Sequence, residues 1–181
     1  MADKSTIYKA RLNLSDVDRG CYQQLDLTLA MHPSETEHRL VARLIAYALC
    51  YQEGLTFTKG ICDGDSPDIW LQNPGGKLSQ WIEVGLPMPE RIESASRRSD
   101  HVALFIYGRQ RHRWERANLD RLGNLDNLTV IALPDTLLDA LTDELERTMA
   151  WSLTITDGIL YLDTAENHYS EQLTYLLQPA V

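Results

Sequence analysis

Three cysteines in 181 residues, at positions 21, 50 and 62, make no CxxC pair and no even, closely spaced set. Neither a disulfide framework nor a cysteine zinc site is signalled, and small buried thiols are the simpler expectation. The five histidines, at 32, 38, 101, 112 and 168, likewise form no HxH or HExxH arrangement, which argues against a zinc hydrolase. No stretch reaches the roughly 18–20 consecutive apolar residues that span a bilayer. The opening MADKSTIYKA places charged and polar groups where a secretory signal carries its apolar run. A soluble, cytoplasmic chain with no membrane partner is therefore expected. Positive charge is also scarce: 17 Lys and Arg against 26 Asp and Glu leave a net charge of −9. That field repels nucleic acid and anionic membrane at long range and leaves only a local basic site open to them.

What is present is globular: 44% apolar and 24% charged residues, without internal repeats or a long linker, suit one domain over residues 1–181. Thr6, Tyr8, Ala10, Leu12 and Leu14 alternate, as do Leu25, Leu27, Leu29 and Met31, with the turn-rich SDVDRG between them. This predicts an antiparallel hairpin. HPSETE then introduces apolar residues at helical spacing, and Ser34 with Glu37 satisfies the S-x-x-E capping pattern, predicting a helix over 35–52. LTFTKGIC reads as a short strand leading into the acidic turn CDGDSPD. IWLQ and LSQWIEVG read as strands joined by the NPGGK reversal.

A helix over 89–99, with Ile92 and Ala95 inward, precedes HVALFIYG, whose continuous apolar run has the form of a buried central or parallel strand. RQRHRWERANLDRL is expected to be a surface helix that packs through Trp114 and Ala117, and NLTVIALP a strand. DTLLDALTDELE reads as a helix burying Leu137, Leu138, Leu141 and Leu145. The strongest local hairpin signal is MAWSLTITDGILYLD, where Asp157-Gly158 suits a type I′ turn. Tyr169 through Leu177 is expected to add one last strand. Helices and strands alternate in the middle, so the class is mixed α/β (α+β), with a central core over about 35–133 and β-rich ends.

Asp68, at the start of one short strand, and Glu83, on its neighbour, converge across a turn. Two such carboxylates suit Mg²⁺, with Mn²⁺ as a substitute, and a divalent ion there would stabilise charge on a phosphodiester; Glu35 or Glu37 would complete the site from the first helix. Each residue also has an ordinary explanation. Glu37 caps its helix, Asp68 stabilises its turn, and Glu83 stands open between a site-facing and an exposed strand position. Eight arginines against four acids between Arg91 and Arg121 give a local basic segment, either a solvated surface or a contact for anions. His32 and His38 suit local hydrogen bonds, and Trp70 and Trp81 suit packing.

IYKA near the start, HPSET at 32–36, FTKGIC at 57–62, SPDIW at 66–70, WIEVGLP at 81–87, VALFIYG at 102–108 and ITDGILYLD at the end together resemble the bacterial YaeQ family over nearly the whole chain. The resemblance implies a variation on the PD-(D/E)xK restriction-endonuclease-like fold, a mixed sheet flanked by helices with additional β strands, and no settled activity. Pro67-Asp68 then matches the PD element and Glu83 the second acid. Glu37, or Glu35 in its place, would be the helix carboxylate. Glu83-Val84-Gly85 lacks the lysine that orients water or steadies phosphoryl charge. Arg98 would serve as a migrated cation on the scissile phosphate, with Arg97 beside it, while Lys59 and Lys77 are further sources of positive charge. The implied activity is a Mg²⁺-dependent phosphodiesterase or nuclease. Its alternative is a noncatalytic module that binds nucleic acid or a protein partner on a degenerate scaffold. No organic cofactor is expected, and the sequence leaves oligomeric state open.

Overall fold

The computed structural model describes residues 4–59 and 64–179. In chain order the first elements are β1 (Thr6–Asp16), β2 (Cys21–Met31), α1 (Glu37–Leu49), β3 (Thr56–Phe57), β4 (Ile69–Gln72), β5 (Leu78–Val84), α2 (Pro89–Arg98) and β6 (Ser99–Ile106). They are followed by α3 (Arg111–Leu122), β7 (Leu128–Ala132), α4 (Asp135–Asp143), β8 (Thr148–Thr156), β9 (Ile159–Asp163), β10 (His168–Gln172) and β11 (Thr174–Leu177). The described chain is thus α+β, with two mixed sheets and four helices. It divides into two compact units: the residues up to Leu49 together with Thr136–Leu173, and Cys50–Asp135 together with the residues from Thr174 on. No helix among the described residues is long and apolar enough to cross a membrane.

The first unit is built on the expected hairpin. β1 and β2 pair antiparallel without interruption from Thr6–Met31 to Asp16–Cys21. The alternation that predicted them buries Tyr8, Ala10, Leu12 and Leu14 and exposes Lys9, Arg11 and Asn13. β8 joins β1 in parallel and turns back into β9 through Asp157 and Gly158, both at positive φ (+53° and +73°) as a type I′ turn requires. Asp18 accepts hydrogen bonds from both turn amides, at 2.8 and 2.9 Å. The resulting order is β10-β9-β8-β1-β2.

The second unit contains the sheet β11-β7-β6-β5-β4-β3. β5, β6 and β7 are parallel, and β6 is the buried central strand its apolar run predicted. Right-handed β-α-β crossovers are the general solution for such neighbours, and α2 and α3 fill these connections here. Ile92, Ala95, Trp114 and Leu122 of these helices pack into one apolar cluster with Trp81, Val102, Leu104, Val130 and their neighbours.

Several expectations are corrected in detail. α1 spans Glu37–Leu49 rather than 35–52, and Thr36 caps it: its hydroxyl accepts from the Arg39 amide at 3.2 Å. Ser34 is turned away to His32, 2.7 Å from Nδ1, so Glu37 is the first helical residue and not the third of a capping box. On α3, Ala117 is exposed, and Leu119 and Leu122 join Trp114 in the packing instead. Leu145 lies past the end of α4. The final segment is two strands, because the break at Leu173 sends β10 to one sheet and β11 to the other. Of LTFTKGIC, Thr56–Phe57 is the strand among the described residues; the end of that segment, with Cys62, lies outside them.

Candidate functional site

The NPGGK reversal brings the two carboxylates of the second unit together. Asn73 Oδ1 accepts from the amides of Gly75 and Lys77, both at 3.0 Å, and Gly76 supplies the positive φ that closes the turn. β4 and β5 consequently pair Ile69 with Ile82 and Trp70 with Trp81. The pairing reaches Asp68, whose amide donates to Ile82 O at 3.1 Å, so Asp68 sits across from Glu83 just beyond the end of β4. Asp68 is 2% exposed, and its Oδ2 accepts the Val84 amide at 2.9 Å. Thr58 fixes the other side, donating its amide to Asp68 O at 3.0 Å and its hydroxyl to Pro67 O.

Glu83 is inward, which settles the choice left open by its place between Ile82 and Val84. Strand alternation puts it on the face of Trp81, whose indole Nε1 donates to Glu83 Oε2 at 2.8 Å. Glu83 Oε1 accepts from Arg91 Nε, and the other two nitrogens of that guanidinium donate to Gly64 O and, at 2.8 Å, to Ser66 O. Burial pushes the Glu83 carboxyl above the usual carboxylate range. The hydrogen bonds from Trp81 and Arg91 and the Arg91 charge oppose that rise, and the negative charge of Asp68 adds to it.

One carboxylate oxygen and two backbone carbonyls therefore hold a cation in this structure, and the cation is Arg91. That oxygen-only donor set, beside a second carboxylate on the neighbouring strand, is the chemistry hard divalent ions require. Asp68 and Glu83 are the residues that would hold one, with water supplying much of the remaining shell. Among the described residues no group of three or more His, Cys, Asp or Glu is arranged for a metal.

The other expected site residues are placed differently. Glu35, in the first unit, is buried, and both its oxygens are engaged: Arg43 donates from Nε at 2.7 Å and Nη2 at 2.9 Å, and Arg39 from Nη1 at 3.0 Å. Glu37 is exposed at the first residue of α1. Arg98 lies over the Trp81 ring, 5.2 Å from its centroid, and Arg97 is exposed beside it. Lys77 pairs with Asp100 at the surface, and Lys59 is exposed. Within the arginine segment, Arg91, Arg111 and Arg121 are tied to Glu83, Glu115 and the Glu90–Glu93 pair. Arg97 at the end of α2, Arg109 just before α3, and Arg113 and Arg116 on α3 are exposed and make no ion pair among the described residues.

Position 85, where the motif lysine would stand, has φ +112°, and its amide donates to Phe105 O at 2.9 Å. Space is not the obstacle, since an added Cβ would meet nothing within 4 Å. The backbone is, because an L side chain is strained in that conformation. Arg91 is the residue that sequence reasoning passed over, although a signal existed. Arg91, Ala95 and Arg98 follow i, i+4, i+7 spacing, so an inward Ala95 turns both arginines toward the strand face that Trp81 and Glu83 share.

Three comparisons agree with this architecture. A family model described as "YaeQ protein" matches residues 1–173. "Uncharacterized protein YaeQ" from Escherichia coli strain K12 is 40% identical over 181 residues, covering 99% of this chain and 100% of that protein, and the Salmonella typhi protein of the same description is equally similar. The crystal structure of YaeQ protein from Pseudomonas syringae superposes with a TM-score of 0.92 at 37% identity, over 96% of this chain and 97% of that one. That of YaeQ protein from Xanthomonas axonopodis pv. citri gives 0.93 at 34% identity, over 97% and 99%. With a family model spanning nearly its whole length and relatives matched from end to end, the chain belongs to the YaeQ family.

Proposed function

We propose that this chain is a divalent-metal-dependent phosphodiesterase acting on nucleic acid, built on a restriction-endonuclease-like scaffold. The observation that carries the reading is the oxygen-lined cation seat at Asp68 and Glu83. A bare pair of buried acids would be costly without a partner, and the Arg91 guanidinium occupies the seat. When bound, a Mg²⁺ or Mn²⁺ ion supplies charge stabilisation at a phosphodiester and lowers the pKa of an attacking water. Asp68, fixed by the Val84 amide, and Glu83, fixed by the Trp81 indole, would orient the ion. The exposed Arg97 and Arg98 at the end of α2 would bind phosphates. Neither Glu35 nor Glu37, both in the first unit, has a role in this scheme.

Gly85 favours a second reading. A site whose backbone disfavours a lysine at the expected position suits a noncatalytic module that keeps affinity for nucleic acid, or for a protein partner, without turnover. One comparison separates the two. Wild type and Asp68→Asn are incubated with single-stranded, double-stranded and structured DNA and RNA in Mg²⁺ or Mn²⁺. The enzyme reading expects cleavage that falls by roughly a hundredfold or more in the variant. Equal trace cleavage by both proteins assigns the signal to contamination and rejects the site. Salt-dependent binding without turnover, lost in Arg97→Ala/Arg98→Ala, identifies the module.

A further inference from the structure

We infer that Arg91 is a displaceable internal cation: metal gains Glu83 by expelling the guanidinium, and a phosphodiester assists by taking that guanidinium onto itself. The inference rests on the metal-dependent reading above and adds to it a coupling between metal and substrate.

Both Glu83 oxygens are committed, Oε2 to the Trp81 indole and Oε1 to Arg91 Nε. Each oxygen keeps a second lone pair, but a metal on Oε1 would enter the place where the guanidinium sits against Glu83, Gly64 O and Ser66 O, and two cations do not share it, so a donor must leave. Trp81 is 1% exposed and wedged in the apolar cluster with Ile92, Val102 and Leu104, so its indole is fixed. The Arg91 side chain is 30% exposed, reaches Glu83 from the first turn of α2 on a long flexible stem, and lies near the edge of the Trp81 contact range, at 5.7 Å from the ring centroid. It is the donor that can go.

Departure has a cost, because the guanidinium also gives up Gly64 O and Ser66 O. A phosphate offers a matching acceptor, since guanidinium and phosphate pair through two parallel hydrogen bonds. Once Arg91 has moved, the guanidinium charge that competes for Glu83 Oε1 has left the seat, and the affinity of Glu83 for a divalent ion rises. Metal and phosphodiester should therefore bind cooperatively, each strengthening the other by the same factor. The free protein would hold metal weakly, and Arg91 would be the reason.

Titration calorimetry of the full chain with Mn²⁺ alone tests this. Arg91→Gln should bind Mn²⁺ roughly ten- to a hundredfold more tightly than wild type, the worth of one charged hydrogen-bonded contact removed from competition. The gain should vanish in Arg91→Gln/Glu83→Gln. A second arm adds a cleavage-resistant phosphorothioate oligonucleotide, which should tighten Mn²⁺ binding to wild type by a larger factor than to Arg91→Gln; equal tightening in the two overturns the coupling through Arg91. If Arg91→Gln does not fold, Arg91→Lys keeps the charge, loses the three-way hold and should bind with intermediate affinity. Equal, Glu83-dependent affinity in wild type and the Arg91 variants overturns the inference while the metal reading stands. No Mn²⁺ binding in any variant overturns both. A gain that persists without Glu83 places the ion elsewhere and also overturns the inference.

Discussion

Glu35 and Glu83 are both buried carboxylates that face arginine, one in each compact unit, and their surroundings differ in kind. Glu35 receives a fork of two hydrogen bonds from Arg43, a third from Arg39 and a longer one from the His32 amide at 3.3 Å. Arg43 itself is 3% exposed and also reaches Ala30 O at 3.0 Å, tying α1 to the end of β2. Every charge in that cluster is matched within a few ångströms by groups from the same unit. Glu83 receives one guanidinium nitrogen and one indole, lies beside a second carboxylate, and is driven by burial toward its neutral form. A saturated buried pair holds structure together, whereas a carboxylate under pressure from burial and like charge is positioned for a ligand.

The sharpest break in this comparison is Glu35→Ala. It strands Arg43 in the interior without its partner, so urea unfolding should show a loss of about 3–5 kcal/mol, with Mn²⁺ affinity in the folded fraction unchanged. A loss comparable to that of an exposed pair would mean that the Glu35 cluster is not the structural tie described here.

Glu83→Gln should cost no more than about 1–2 kcal/mol at neutral pH, since the lost contact to Arg91 is offset by removing a charge that burial disfavours. Its pH signature is more telling than its size. The folded-state pKa of Glu83 lies above the unfolded value, so the native state holds this proton more tightly. The associated stability is fully present below the unfolded pKa near 4.5 and is lost as pH rises through the folded one. Wild type should thus lose stability over that window, and Glu83→Gln should flatten the fall. An unchanged slope would remove Glu83 as its source.

Thr36→Ala should destabilise by about 1 kcal/mol through the lost cap, and Ser34→Ala by clearly less, as measured by thermal unfolding. The reverse order would restore the capping pair read from the sequence.

The mildest test concerns a half-buried carboxylate. Glu144 accepts from the hydroxyls of Thr164 and Tyr169 and from the Asn167 amide at 2.8 Å. Its carboxyl falls below the usual range; burial works against that fall, and the three hydrogen bonds outweigh it. The Glu144 hydrogen bond and charge push the Tyr169 phenol up to about 12. Ultraviolet titration should show one tyrosine ionising well after the others, and Glu144→Gln should return it to the ordinary range.

Most elements were legible in the sequence, because short-range periodicity is enough to write a helix or a strand. The β1–β2 alternation, the Asp157-Gly158 turn, the inward Ile92 and Ala95 and the apolar β6 each carry their own local cause. Boundaries were less legible. Ser34 and Thr36 both offer a capping oxygen, and only the neighbouring His32 ring, which captures Ser34, decides between them. The single strand expected over Tyr169–Leu177 became two for a similar reason, since nothing in the residues themselves states that β10 pairs with β9 while β11 pairs with β7.

By itself, then, the sequence determined which residues could carry charge and which face of each element turns inward, since side-chain chemistry and backbone period are local properties. That Asp68 and Glu83 belong together was readable because a five-residue reversal joins their strands. Which cation meets Glu83 was decided only by tertiary structure. Arg91 and Arg98 lie on one stripe of α2 and both approach Trp81, and the choice between them depends on where the carbonyls of Gly64 and Ser66 stand in space. Those carbonyls are more than twenty positions from Arg91 along the chain. Partners this distant are chosen by the path of the folded backbone, which no local pattern encodes.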